Sequence, residues 1–266
     1  MNCYIFDIDG VIADLETKEV TQKQTIKIIG KLLESQTPIA FISGRSTVWI
    51  VKNIVEEVRG ELKDEKFLDN LLILGEFGSA YAHYRNSKIF SVFDDRLSAG
   101  LTDQAARITQ KYSSVVKVDE TKLTQFSSEM KDNLDIEKDF KPVQKKLVEE
   151  YKDLVRKMGL ENELEVTEDK IGTNIKSKSS NKGNAIKVLL TWTAQRGFKI
   201  NKFIVFGDSP SDVEMGEALR KNGLSVEFVF VGDEKIPNEP FPIHKTEEKF
   251  EKGTLEYLTR LNFKQN

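Results

Sequence analysis

The chain is poor in the side chains most often used for catalysis. Two histidines, His83 and His244, and one cysteine, Cys3, stand among 266 residues. No zinc cluster of His and Cys ligands can be assembled from these alone. A serine or cysteine nucleophile paired with histidine finds no Gly-x-Ser-x-Gly turn to support it, and both histidines read as surface or satisfied structural residues. A lone cysteine forms no internal disulfide, so a cytoplasmic location is expected. No apolar run approaches the ~20 residues of a membrane span. The first strand begins by residue 3, which leaves no space for a signal peptide. The net charge is −3 with 31% charged residues, so no field of one sign favours nucleic acid or a membrane surface. The length suits one large or two modest domains; oligomeric state is not legible in it. Any chemistry therefore falls to carboxylates, lysine and hydroxyls.

Carboxylates appear at once. Asp7-Ile8-Asp9-Gly10-Val11 follows the short apolar run Cys3-Tyr4-Ile5-Phe6. Read as a strand, this delivers two acids at its C-terminal end, pointing the same way and roughly 6–7 Å apart. One acid can attack while the other handles a proton on the far side of the reacting group. Gly10 permits a sharp turn or the close approach of a ligand. In open parallel sheets ligands sit outside the carboxyl ends of the strands. An Asp-Gly pair after a strand also occurs in simple turns, so the pattern elsewhere decides.

That pattern recurs. Pro38-Ile39-Ala40-Phe41-Ile42 ends in Ser43-Gly44-Arg45, and Phe203-Ile204-Val205-Phe206 ends in Gly207-Asp208-Ser209-Pro210-Ser211-Asp212. Between them Asn181-Lys182-Gly183 opens a helical stretch. Acid pair, hydroxyl, lysine and acid pair, in this order, resemble the four motifs of the haloacid dehalogenase superfamily of aspartate-nucleophile phosphohydrolases. About 137 residues separate Arg45 from Lys182, room for a cap between the second and third motifs. Residues 181–186 and 207–215 resemble the sugar-phosphatase branch: the Cof-type, sucrose-phosphate, trehalose-phosphate and mannosyl-phosphoglycerate phosphatases, and phosphomannomutase. The expected fold is therefore α/β, a Rossmann-like parallel sheet with an inserted α+β cap. The expected bounds are 1–86 and 179–266 for the core and 87–178 for the cap.

The resemblance assigns roles. Asp7 would attack phosphorus, and Asp9 would protonate the leaving alkoxide and later take a proton from water. Ser43 would hydrogen-bond a phosphate oxygen, with Gly44 allowing close approach. Arg45 would reach substrate or form a surface salt bridge. Lys182 would stabilise the phosphoryl charge and the Asp7 intermediate. Mg2+ would be held by Asp7, by the backbone carbonyl of Asp9 and by Asp208, with Asp212 in its outer shell or orienting Lys182. Asp212 could equally serve a helix N-terminus as an acid three residues after a Ser209 cap. Two departures bear on substrate: Ser211 stands where the branch often has Asn, and Glu76-Phe77-Gly78 where it has Glu-Asn-Gly. The implied function is Mg-dependent hydrolysis of a small, sugar-type phosphate, with a phosphosugar mutase or a non-catalytic binder as alternatives.

Around the motifs, 21–34 reads as a helix with a Thr21-Gln24 capping box. A helix follows Ser46, with Val48, Val51, Ile54, Val55 and Val58 on one face. Residues 71–74 read as a strand, Tyr81 and Tyr84 as part of a short hairpin, and 233–252 as surface connection before a helix at 253–261. Within the insert, strands are expected at 89–93, 115–118, 123–130, 164–167 and 171–176, and helices at 102–112 and 138–157. Along 123–130, Gln125, Ser127 and Glu129 share one face and suit sugar hydroxyls, with Asn174 joining from the last strand; a solvated sheet face is the plain alternative.

Overall fold

The computed structural model describes residues 1–93, 96–236 and 240–261. The chain alternates strand and helix from its start: β1 (Asn2–Phe6), α1 (Lys23–Glu34), β2 (Ile39–Ile42), α2 (Thr47–Ile50), α3 (Glu56–Gly60), β3 (Leu71–Gly75), then the antiparallel β4 (Ala80–Arg85) and β5 (Lys88–Phe93). A second compact unit, Phe93–Ser180, follows, with α4 (Ala99–Gln110), β6 (Val116–Val118), β7 (Phe126–Met130), α5 (Lys141–Lys157), β8 (Leu164–Glu168) and β9 (Gly172–Ser177). The first unit resumes with α6 (Lys182–Gln195), β10 (Lys202–Gly207), α7 (Val213–Lys221), β11 (Val226–Phe230), β12 (Ile243–Lys245) and α8 (Phe250–Thr259). Among the described residues no helix is long and apolar enough to cross a membrane.

The first unit is built on an eight-stranded sheet in the order β12-β11-β10-β1-β2-β3-β4-β5. From β12 to β3 all neighbours are parallel. A parallel sheet is buried on both faces, and its strands read as unbroken apolar runs. Period-two alternation divides β1 between two cores: Tyr4 and Phe6 join the cluster under α1 and α8, while Cys3 and Ile5 join the one under α6 and α7. The chain runs β1, β2, β3 to one side and returns to β10, β11, β12 on the other, so direction reverses between β1 and β10. That reversal opens a crevice at the carboxyl ends of these two strands.

The second unit has its own core. A four-stranded antiparallel sheet, β6-β7-β9-β8, carries Phe126 and Ile175 against Leu101, Leu147 and Tyr151 of α4 and α5. Ser128 lies on that same helix-covered face, bonded to Thr109 (2.8 Å) and Tyr151 (2.5 Å). The other face carries Ser127, Glu129, Asn174 and Lys176 by strand register.

Several expected elements shift. Helix α1 starts at Lys23 with no side-chain cap, because the Thr21 hydroxyl donates to Glu251 Oε1 instead (3.2 Å). The helix after Ser46 widens to a π-helical turn at Val51–Val55. The wider turn moves its buried face from Val48, which is exposed, to Ile50. The strand at 89–93 is the edge strand β5 of the large sheet rather than part of the insert, because it closes a hairpin on β4 through Asn86 and Ser87, both at positive φ. Residues 123–125 precede β7 rather than belonging to it. The connection 233–252 contains β12, and its residues 237–239 lie outside the described residues.

Candidate active site

Backbone pairing puts the two acid motifs side by side. Phe6 registers with Phe206, and the Asp7 amide donates to the Phe206 carbonyl (3.1 Å). After Asp7 the chain turns on itself: the amides of Val11, Ile12 and Ala13 all donate to the Ile8 carbonyl. Gly10 closes this turn at φ +76°, and a Cβ there would lie 2.5 Å from Asp208 Oδ2. Position 10 thus needs glycine for its left-handed backbone and for the carboxylate beside it.

A buried charge cluster fills the crevice. Lys182 opens α6, where the Asn181 side chain caps the helix by accepting from the Asn184 amide (2.8 Å). Its Nζ is 3.1 Å from Asp7 Oδ1 and bonds Oδ1 of Asp212. The second oxygen of Asp212 accepts from the amides of Asp208 (3.0 Å) and Ser209 (2.9 Å) and from the Ser209 hydroxyl (2.9 Å). Both Asp212 oxygens are therefore committed within the protein, and this acid serves the Ser209 turn and Lys182 together. Asp7 is pushed well above the usual carboxylate range, first by burial and then by Asp212, Asp208 and Asp9, against the pull of Lys182. Burial and Asp212 raise Asp208 to about 7. Burial would weaken the Lys182 ammonium, but Asp212 and Asp7 outweigh it and hold the group charged.

Asp9 sits in the opposite field. Burial would raise it, but the Arg45 guanidinium grips both its oxygens (Nε to Oδ2 and Nη2 to Oδ1, each 3.0 Å). Lys18 Nζ adds a contact at 3.3 Å. Asp9 is held below its ordinary value and ionised. Arg45 itself lies over the Trp49 ring, 4.7 Å from its centre. Of the two readings of Arg45, an ion pair is what the structure contains, though its partner is Asp9 and not a surface acid.

Ser43 is buried at the end of β2, where its amide donates to the Leu74 carbonyl (2.9 Å). Its Oγ accepts from the Arg45 amide (3.1 Å), which leaves the hydroxyl proton for a ligand. Glu76 and Phe77 stand opposite, both at positive φ (50° and 57°). Their amides donate to the carbonyls of Arg45 (2.9 Å) and Ser43 (3.0 Å). Consecutive left-handed non-glycine residues are strained and persist where surrounding bonds fix them. The Phe77 ring fills the space a side chain at 44 would occupy: a Cβ on Gly44 would lie 2.7 Å from its Cζ.

Asp7, Asp9, Ser43, Gly44, Arg45, Lys182, Asp208 and Asp212 thus come from one unit and cluster at the ends of β1, β2 and β10 and the start of α6. Gln125, Ser127, Glu129 and Asn174 belong to the other unit. Ser127 donates to Asn174 Oδ1 (2.6 Å), and the Asn174 amide donates in turn to Asp169 Oδ2 (3.1 Å). Gln125 and Asn174 are buried, and Glu129 is half-buried. Sequence reasoning passes over Lys18 and Lys176. Lys176 is buried beside Asn174 and pairs with Glu165 (3.1 Å); neither lysine stands in a motif, and only register and loop geometry reveal them.

Asp7, Asp208 and Asp212 can bring one oxygen each within 4.8 Å of one another. The donor set is all oxygen, and burial with mutual repulsion disfavours the ionised Asp7 and Asp208. Both features fit a hard divalent cation such as Mg2+. Asp7, Asp208 and Asp212 are the acids placed near enough to hold it, while the Asp9 carboxylate is paired to Arg45.

The fold is shared with solved phosphatases. A trehalose-6-phosphate phosphatase related protein matches with TM-score 0.60 at 17% identity, over 97% of this chain and 95% of that one. The C-terminal domain of trehalose-6-phosphate phosphatase from C. albicans matches with TM-score 0.64 at 16% identity, over 97% and 91%. The sucrose-phosphatase from Synechocystis, solved with sucrose and phosphate, matches with TM-score 0.51 at 16% identity, over 97% and 96%. A search of curated proteins finds no match. The family model of the haloacid dehalogenase-like hydrolases matches residues 59–227, well over half of the sequence and inclusive of Lys182, Asp208 and Asp212. The chain belongs to the haloacid dehalogenase-like hydrolase family.

Proposed function

We propose that the protein is a cytoplasmic, Mg-dependent phosphomonoester hydrolase that works through an aspartyl-phosphate on Asp7 and acts on a small sugar-type phosphate. The observation that carries this reading is the placement of Asp7, buried at the β1/β10 crevice with Lys182 3.1 Å from one of its oxygens. A carboxylate so placed attacks phosphorus as the bond to the leaving alkoxide breaks, and water then cleaves the acyl phosphate. Lys182 stabilises charge on the transferring group, and Ser43 donates to a phosphate oxygen. Asp9 takes a proton from the attacking water in the state the structure presents, ionised by Arg45 and Lys18. To protonate the alkoxide first, it must share less of that pairing. When bound, Mg2+ would neutralise phosphate charge and orient the attack.

The sugar-type substrate is supported by the fold shared with the trehalose-6-phosphate and sucrose phosphatases. It is also supported by the polar face of the second unit. There Gln125, Ser127, Glu129 and Asn174 are proposed to bind hydroxyls of the group beyond the phosphate.

The test is phosphate release from a panel of sugar phosphates, nucleotides and an aryl phosphate, with Mg2+ and with chelator. Mg-dependent turnover favouring a sugar phosphate is expected. No release from any compound would overturn the hydrolase reading. Conversion of a hexose 1-phosphate to its 6-phosphate, with a bisphosphate activator, would replace it with the mutase. Alanine at Gln125 and Glu129 should lower kcat/KM for the preferred sugar phosphate by ~10-fold or more while sparing the aryl phosphate. Equal losses on both would reject those residues as hydroxyl-binding.

A further inference from the structure

The two edges of the large sheet are built differently. At one end β12 is three residues long, follows Pro242 and ends on Lys245. Short strands, proline and lysine are the usual protection of an unpaired edge. At the other end β5 is six residues long, and every residue is exposed. Between Ile89 and Phe93 it carries no charge, and its only polar side chain is Ser91.

The exposed side chains of β5 are large and apolar: Ile89 (44%), Phe90 (46%), Val92 (42%) and Phe93 (42%). Elsewhere among the described residues only Met1 and Val48 are large hydrophobics so exposed. They also lie on both faces of the strand. Phe90 stacks on His83 of β4 at 5.8 Å, and His83 registers with Leu72, whose side chain belongs to the core under α6 and α7. Phe90 and Val92 therefore lie on that side, and Ile89 and Phe93 on the other. Among the described residues no strand pairs with the outer edge of β5, and a ladder edge flanked by apolar side chains on both faces is a template for another strand.

We propose that β5 pairs with β5 of a second copy of this chain, antiparallel about a two-fold axis at Ser91, joining two sheets into one. The choice of a second copy rests on self-complementarity. The strand reads Ile89-Phe90-Ser91-Val92-Phe93, nearly the same pattern in both directions about Ser91. An antiparallel copy therefore meets a matching row of aromatic and branched side chains, whereas an in-register parallel copy sets Lys88 against Lys88. Centred on Ser91, the register puts Ile89 opposite Phe93 and Phe90 opposite Val92. These are the aromatic and branched cross-strand pairs that stabilise a sheet, and Ser91 faces its own copy. A two-fold contact of this kind closes at the dimer.

Light scattering after size exclusion, over a hundredfold range of concentration, should give twice the chain mass. Phe90→Lys with Val92→Lys places charge along the pairing line and should weaken dimerisation by ~100-fold or more, with the circular dichroism of the folded chain retained. Ser91→Cys gives an independent reading, because the single native cysteine, Cys3, is fully buried. On mild oxidation it should form a disulfide-linked dimer, while Ser113→Cys should not. A chain that is monomeric throughout, with no Ser91→Cys dimer, overturns the proposal and leaves the edge to a strand of another protein. A dimer that survives the double lysine variant, with no Ser91→Cys link, also overturns it by placing the contact elsewhere.

Discussion

Lys182 Nζ lies 3.1 Å from Asp7 Oδ1 while bonding Asp212, so one buried cation serves two buried carboxylates. With both acids ionised the trio carries a net negative charge, which adds to burial in raising Asp7. Removing either acid's charge leaves a balanced pair, and removing the lysine leaves two acids facing each other.

Asp7→Asn should therefore fold, with a melting temperature in chelator close to the parent's, and lose phosphate release by ~1,000-fold or more, because an amide cannot attack phosphorus. Circular dichroism melts and a phosphate assay read the two effects separately. A tenth of parental activity would remove Asp7 as nucleophile.

Lys182→Met should cost stability as well as activity. Stripping one partner from a buried ion pair typically costs about 3–5 kcal/mol. Urea unfolding should show the loss, and adding Asp7→Asn to the lysine variant should recover part of it. Activity should stay absent in both.

Arg45→Ala frees Asp9 from its two-pronged grip and removes the cation from the Trp49 face. With its acid form favoured, Asp9 should protonate an alkoxide more readily and take a proton from water less readily. Breakdown of the aspartyl-phosphate should therefore slow by ~10-fold or more for aryl and alkyl phosphates alike, which share that intermediate. Rapid-quench measurement of the intermediate checks this; an unchanged breakdown rate with slower formation would mean that Arg45 acts on the phosphate itself.

The Asp208 carboxyl, raised to about 7, sets a pH dependence. Its folded state binds a proton between the ordinary value near 3.8 and about 7 that the unfolded state has released. Metal-free stability should therefore fall as pH rises through that window. Asp208→Asn should flatten the slope, and Mg2+ should raise the melting temperature of the parent, not of the variant, at pH 8. Each ~1 kcal/mol is worth about 2–4 °C in a chain of this size. A parent melting temperature that climbs from pH 5 to 7 in chelator would contradict the assignment.

Gly44→Ala pushes a methyl into the Phe77 ring, 2.7 Å away before relaxation. Phosphate binding should weaken through Ser43, which shows as a raised KM. The double variant with Phe77→Ala should recover part of the loss, with a coupling of about 0.5–3 kcal/mol.

The strands that carry the acids are legible because parallel strands buried on both faces write unbroken apolar runs, and polar motifs punctuate them. What escapes is set by tertiary contact. Thr21 has the sequence of a cap, yet bonds Glu251 from the far end of the chain. The π-helical turn at Val51–Val55 shifts a helix face that 3.6-residue spacing cannot reveal. Strand β5 reads as part of the insert because its exposed apolar residues resemble a buried strand. Lys18 reaches Asp9 from a loop in which it adopts φ 62°, a placement that no spacing rule encodes.

The pairing of β1 with β10 has a consequence for biosynthesis. Asp7 leaves the ribosome long before its neighbours Lys182, Asp208 and Asp212, which follow the whole second unit. The central strand must wait for its β10 partner, and closing so long a loop is slow. A nascent chain ending before residue 208 holds the acid pair of the first motif but not the crevice, so catalytic competence arrives only once β10 and the turn after it have been made.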